Sequence, residues 1–264
     1  MAILHINFRS DCISRSVYPT VFLPDLNMWR DVEPPYPALY FLPGYSGGGL
    51  ETAMFSNIAL FSMRFGVAVI LADGENSFYT DDEQRNALFS RYVGEELVEV
   101  TRRVLPLSRK REDTFLGGIS MGGYGALING LRFAETFGRI AMLSPALGFK
   151  RPDDEAGPES PSPRGELLAT LGTWKEYCGS YRDYEASALK AAARPEKMPE
   201  MFLACGTEDP LISPARSFAD KMRQAGAPLT VWEAGGGHDH TFWKRAMEPM
   251  FRFLSGKEEA QGCI

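Results

Sequence analysis

Apolar residues along this chain fall into short runs separated by longer, half-polar stretches. Residues 38–42, 67–71, 114–116, 140–143, 201–204 and 229–233 are rich in β-branched, aromatic and aliphatic side chains, and a Gly, Asp or Ser follows soon after most of them. That pattern predicts strands. Between them, residues 50–64, 92–105, 121–135, 214–225 and 241–254 have helical patterning. Strands alternating with helices of this length predict an α/β fold with a mostly parallel central sheet covered on both faces. In such a sheet, chemistry is sought in the loops beyond the strand C-termini. Residues 6–9 and 16–23 predict antiparallel edge strands ahead of the main sheet.

Residues 150–165 break the rhythm with Pro, Asp, Glu and Ser. They predict a surface excursion which, with the segment up to about 190, forms a cap-like insertion. The expected organisation is one domain over residues 1–264, with a frayed, charged tail from 256.

Composition narrows the function classes. With 264 residues the chain can bury a sizeable core. A net charge of -6 argues against a nucleic-acid surface, and the cations of Arg109-Lys110-Arg111 are followed at once by Glu112 and Asp113, as in a solvated turn. No run of 18 apolar residues predicts a membrane span, and the N-terminal residues show no continuous apolar leader. Cys12, Cys178, Cys205 and Cys263 are scattered, which fits reduced thiols and a cytoplasmic location. Three histidines and no clustered cysteines predict neither a metal nor a cofactor. Association into a homo-oligomer is compatible with the sequence.

The candidate nucleophile lies in Gly118-Ile119-Ser120-Met121-Gly122, a G-x-S-x-G motif between an apolar strand and a helix-forming stretch. A sharp strand-to-helix turn lifts such a serine to the top of the sheet, and small flanking residues let strand and helix approach. A serine hydroxyl needs a base. His5 is far from the sheet loops, whereas Gly235-Gly236-Gly237-His238-Asp239-His240 follows the last predicted strand. The three glycines favour His238 as the base; Thr241-Phe242-Trp243 begin the next helix, and His240 is expected as a supporting or wall residue. The acid is expected in Gly206-Thr207-Glu208-Asp209-Pro210, where Asp209 suits a tight loop and Glu208 is the alternative. Asp239 is expected to be solvated or bonded within its loop. The oxyanion donors are expected at Met121 N–H and, from Pro43-Gly44-Tyr45-Ser46-Gly47-Gly48-Gly49, at Tyr45 N–H with Ser46 as the alternative. No Gly-Lys-Ser/Thr follows those glycines, which excludes a phosphate loop. Gly44, Ser46, Tyr79, Trp174, His240 and Trp243 are candidate pocket residues.

The chain resembles the esterase D-like family of α/β-hydrolases, nearest its bacterial tributyrin esterases. The resemblance rests on residues 40–47 (Tyr-Phe-Leu-Pro-Gly-Tyr-Ser-Gly), Tyr79-Thr80-Asp81, Lys110-Arg111-Glu112, the serine motif extended to Gly125, Gly206-Thr207-Glu208-Asp209 and residues 237–243 (Gly-His-Asp-His-Thr-Phe-Trp). It implies a metal-independent serine carboxylesterase acting on small-molecule, short-chain acyl esters through an acyl-enzyme. It also implies His238 as the catalytic histidine. Two positions depart from the family pattern: His240 stands where a tryptophan is usual, and Pro43-Gly44 where His-Gly is common. Relatives include S-formylglutathione hydrolases, feruloyl esterases and mycolyltransferases. An S-formylglutathione hydrolase-like thioesterase, or an acetyl or feruloyl esterase acting on carbohydrate esters, is therefore the alternative.

Overall fold

Residues 1–24, 33–148 and 170–256 are described by a computed structural model. The strands run β1 (Ala2–His5), β2 (Phe8–Ser10), β3 (Arg15–Val17), β4 (Thr20–Leu23), β5 (Ala38–Leu42) and β6 (Ala68–Leu71). They continue with β7 (Asp81–Asp82), β8 (Ala87–Leu88), β9 (Thr114–Ile119), β10 (Arg139–Leu143), β11 (Glu200–Gly206) and β12 (Leu229–Ala234). Among the described residues one sheet has the order β1-β4-β6-β5-β9-β10-β11-β12. From β6 to β12 all pairs are parallel, and β1 and β4 close one edge antiparallel. This is the expected architecture, with the N-terminal strands at the edge.

Alternation explains the two faces. Tyr40, Leu42, Leu116, Ile140 and Met142 point into one apolar layer with Leu127, Ile128 and Phe218. Leu39, Phe41, Phe115, Ala141 and Leu143 point into the other with Phe61, Phe65, Phe242 and Phe251. Every residue of β5, β6 and β9 is buried, which is why these strands read as continuous apolar runs rather than alternating ones.

The helices depart from the predicted bounds for local reasons. The stretch at 50–64 is two helices, α1 (Gly49–Ser56) and α2 (Ile58–Phe65), parted by Asn57 at φ 58°. The next helical segment starts earlier than predicted, as α3 (Phe89–Arg91), passes through a π turn at Tyr92–Glu96 and ends as α4 (Leu97–Val104). Then come α5 (Met121–Arg132), α6 (Trp174–Tyr177), α7 (Tyr184–Ala192), α8 (Ile212–Gln224) and α9 (His240–Ser255). Pro214 sits in the first turn of α8, where the missing N–H costs no intrahelical bond.

Three strand expectations need correction. The run at 16–23 divides at Pro19, which has no N–H to continue a ladder, and Pro19 instead accepts from Ile6 N. The predicted strand 6–9 is replaced by β1 and β2 on either side of that bond. Strand β9 runs through Gly117 and Gly118 to Ile119 instead of stopping at residue 116.

Of the expected insertion, residues 149–169 lie outside the described part. The remainder packs beside α5: Tyr124 Oη donates to Arg182 O at 2.6 Å, and Asp81 N donates to Tyr181 Oη at 2.7 Å. No helix of the described residues is long and apolar enough to cross a membrane.

Candidate active site

Ser120 stands between β9 and α5 at φ 54°, ψ -114°. A non-glycine residue here costs about 1–3 kcal/mol and persists only where its surroundings impose it. The imposition is visible in the packing. A Cβ on Gly118 would stand 2.3 Å from Gly122 O, and one on Gly122 would stand 1.9 Å from Leu42 O. Strand, elbow and helix therefore cross at main-chain distance. Ser120 N donates to Leu143 O at 2.9 Å, and Ser120 O accepts from Tyr124 N at 3.0 Å and Ala146 N at 2.9 Å.

His238 arrives from the loop after β12. The backbone there runs against the end of β11: a Cβ on Gly206 would lie 2.0 Å from Gly236 O. Thr207 N donates to Ala234 O at 3.0 Å and Glu208 N to Gly236 O at 3.1 Å. In return Glu208 Oε2 accepts from Gly236 N, and Arg245 donates to Gly235 O. This backbone N–H, more than the Thr207 hydroxyl, holds the Glu208 carboxyl below its ordinary range. The histidine loop is thus gripped on both sides.

Within that frame, His238 Nε2 lies 2.9 Å from Ser120 Oγ, and His238 Nδ1 lies 2.9 Å from Asp209 Oδ2. Asp209 is 1% exposed, and its other oxygen accepts from Leu211 N at 2.8 Å. Of the two acids considered, the geometry brings Asp209 to the imidazole and turns Glu208 to the backbone. Asp239 Oδ1 accepts from Phe242 N at 2.9 Å and caps α9, a loop-bonding role as expected.

The loop after β5 passes beside the serine; a Cβ on Gly44 would be 3.5 Å from Ser120 Cβ. Gly47 N donates to Gly44 O at 3.1 Å, closing a turn with Ser46 at φ 58°. Ser46 N is spent on Asn76 Oδ1 at 2.6 Å. That removes Ser46 as the alternative donor and leaves Tyr45, whose N–H, like that of Met121, has no acceptor among the described residues.

The pocket expectations divide. Trp243 donates from Nε1 to Ser144 Oγ at 3.1 Å and meets the His238 ring edge-on at 5.0 Å. His240 meets Trp243 edge-on at 5.1 Å and Phe55 at 4.8 Å. Trp174 stacks on Tyr177 in the excursion at 5.1 Å. Tyr79 does not line the pocket. It is fully buried, its ring lies where a Cβ on Gly125 would be 2.4 Å away, and its hydroxyl donates to Pro43 O at 3.0 Å. Its bulk fills the gap between the Pro43–Gly44 loop and α5.

Sequence reasoning passed over Phe55, Asn129 and Ser144. Only Ser144 carried a signal, since it ends a predicted strand. A cleft of about 790 Å³ lined by Ile128, Arg132, Tyr181 and Lys190 lies apart from Ser120, Asp209 and His238, none of which lines it. Among the described residues no group of three or more His, Cys, Asp or Glu side chains is placed to hold a metal ion.

Comparison with known proteins settles the family. The profile of the family described as "Putative esterase" matches residues 10–254. The chain belongs to this esterase family. A curated acetyl esterase of Caldicellulosiruptor saccharolyticus is 35% identical over 264 residues, covering 97% of this esterase and 98% of the relative. Among solved structures, FphF, a fluorophosphonate-binding serine hydrolase of Staphylococcus aureus, superposes with a TM-score of 0.83 at 23% identity, over 97% of this esterase and 99% of that chain. S-formylglutathione hydrolase (FrmB) of S. aureus gives 0.81 at 23% identity, over 96% and 98% of the two chains. The esterase has the α/β-hydrolase fold and is a carboxylic ester hydrolase.

Proposed function

We propose that this esterase hydrolyses short-chain acyl esters, acetyl esters foremost, through a covalent acyl-enzyme on Ser120. The observation that carries this reading is the pair of 2.9 Å contacts joining Asp209, His238 and Ser120 across two loops and the elbow. The 35% identical relative, an acetyl esterase, supports a small acyl group.

In this mechanism His238 Nε2 takes the Ser120 proton as Oγ attacks the ester carbonyl carbon. Asp209, buried and hydrogen-bonded to Nδ1, fixes the tautomer and stabilises the imidazolium. The carbonyl electron pair moves onto oxygen, where the N–H groups of Met121 and Tyr45 receive the negative charge, the former at the positive end of α5. Collapse breaks the bond to the alcohol oxygen, which leaves with the proton from Nε2. Water then attacks the acyl-enzyme, giving its proton to the same nitrogen; Ser120 recovers a proton as the carboxylic acid departs. The thiols of Cys12, Cys178 and Cys205, none in a disulfide, fit a cytoplasmic setting.

The test is hydrolysis of p-nitrophenyl esters from acetate to octanoate by wild type, Ser120→Ala and Asp209→Asn. Turnover should peak at acetate or butyrate, vanish in Ser120→Ala and fall roughly 10³- to 10⁴-fold in Asp209→Asn. Near-normal turnover by Ser120→Ala would sink the mechanism. Faster turnover of S-formylglutathione than of any oxyester would move the substrate to thioesters.

A further inference from the structure

The acyl-enzyme reading, on which this inference rests, constrains where the alcohol half of the substrate lies. Nε2 of His238 must protonate the departing oxygen, so the alcohol leaves within hydrogen-bond reach of that nitrogen. A continuous ladder of rings starts on that imidazole. Trp243 stands edge-on to His238 at 5.0 Å, His240 edge-on to Trp243 at 5.1 Å, and Phe55 tilted by 34° against His240 at 4.8 Å.

The outer part of this ladder is in water. Phe55 is 49% exposed, and Leu50 and Met54 on the same helix are 65% and 68% exposed. A single exposed apolar side chain needs no explanation, but a ring series that begins on the catalytic imidazole and runs to the surface does. It is also held in place. Trp243 is pinned by Ser144 Oγ, and His240 Nε2 lies 3.7 Å from Glu51 Oε1 on α1. Helix α1 follows directly from the oxyanion loop, so both ends of the ladder are anchored to parts of the site. His240 is where this chain departs from the resembled family pattern, and that departure places a smaller, more polar ring between two aromatics.

We infer that Trp243, His240 and Phe55 form a subsite for the leaving alcohol, and that the alcohol it takes carries a flat aromatic ring. Edge-on and offset ring contacts reward such a group. Glu51 beside His240 disfavours an anionic alcohol. The substrate class is then an aryl ester of a short acid: a small acyl group on Ser120 and an uncharged aromatic alcohol along the ladder.

Acetates of different alcohols test this cleanly, because they share one acetyl-enzyme and differ only before it forms. The kcat/KM of wild type, Phe55→Ala, Phe55→Leu and His240→Ala is measured on 2-naphthyl acetate and methyl acetate. Taking each variant relative to wild type cancels the intrinsic reactivity of the two esters. The alanine variants should lose at least fivefold more on 2-naphthyl acetate than on methyl acetate, with Phe55→Leu between alanine and wild type. 2-Naphthol should inhibit wild type more strongly than either alanine variant. Equal proportional losses on both esters, or no loss on either, overturn the subsite. If wild type cleaves both acetates and Ser120→Ala neither, the acyl-enzyme stands whatever the ladder does; activity retained by Ser120→Ala overturns both.

Discussion

Tyr79 supports Pro43 from below, its hydroxyl donating to the Pro43 carbonyl at 3.0 Å. That carbonyl belongs to the peptide immediately before Gly44, the residue that brushes Ser120. Behind Tyr79 the bonding continues into the core: Asn129 Nδ2 donates to Tyr79 O at 2.9 Å, and Asn129 Oδ1 accepts from Ser90 Oγ. Burial raises the Tyr79 hydroxyl well above the ordinary phenol range, so it remains a donor at any working pH. Tyr79→Phe removes one oxygen and leaves the ring. Turnover per titrated active site should fall roughly 10- to 100-fold with KM changed less than threefold, as for a slightly misplaced oxyanion donor. Binding of a boronate transition-state analogue should weaken in parallel. Unchanged kcat with only a lowered Tm would reduce Tyr79 to packing.

Glu208 gives a pH signature. The Gly236 N–H, followed by the Thr207 hydroxyl, lowers its folded-state pKa below the unfolded value. A lowered carboxyl pKa stabilises the fold above the unfolded value, and that contribution is lost as pH falls through the folded one. Glu208→Gln should therefore lower Tm at pH 7, and the gap to wild type should close as the pH drops below the carboxylate range. A gap of constant size across a Tm series would contradict the assignment.

The crossing of β9, β5 and α5 leaves no room for a methyl group. Gly122→Ala would put Cβ 1.9 Å from Leu42 O, and backbone must move to relieve it. The expected cost is about 3 kcal/mol or more, read as a lower midpoint in urea unfolding together with loss of esterase activity. Wild-type stability and activity in this variant would contradict so close a crossing.

The described cysteines should differ in reactivity. Burial, with Asp209 second, pushes the Cys205 thiol up to about 12, and burial with Glu96 does the same for Cys12. Thiolate is the reactive form. Iodoacetamide at neutral pH should modify exposed Cys178 and leave Cys205 and Cys12 largely intact until the protein is denatured, as peptide mass spectrometry will show. Rapid labelling of Cys205 in folded protein would refute this burial.

The parts legible in the sequence were those written in a local pattern. Strands buried on both faces announce themselves as apolar runs, and Ser120, Asp209 and His238 each follow one, so their order along the chain foreshadowed their meeting. What escaped was set by contacts between distant segments. Nothing local distinguishes Asn57 as a left-handed break in a helix, or shows that Gly117 and Gly118 remain in β9, where they pair with Phe41 and Leu42 of β5 and with Ala141 and Met142 of β10. Tyr79 looked like a pocket wall because it follows a strand, yet the glycines at 74 and 125 make a slot that swallows its ring. Phe55 carried no motif at all; its place on the ladder exists only once α1 and α9 are packed side by side.

The two glycines flanking the elbow fix the position of Ser120 through the main chain alone. Its hydroxyl contributes nothing described to that placement beyond its contact with His238. The elbow is thus a mount for whatever short nucleophile occupies position 120, and Ser120→Cys would present a thiol to the same imidazole from the same point in space. The chemistry this scaffold performs is separable from the architecture that aims it.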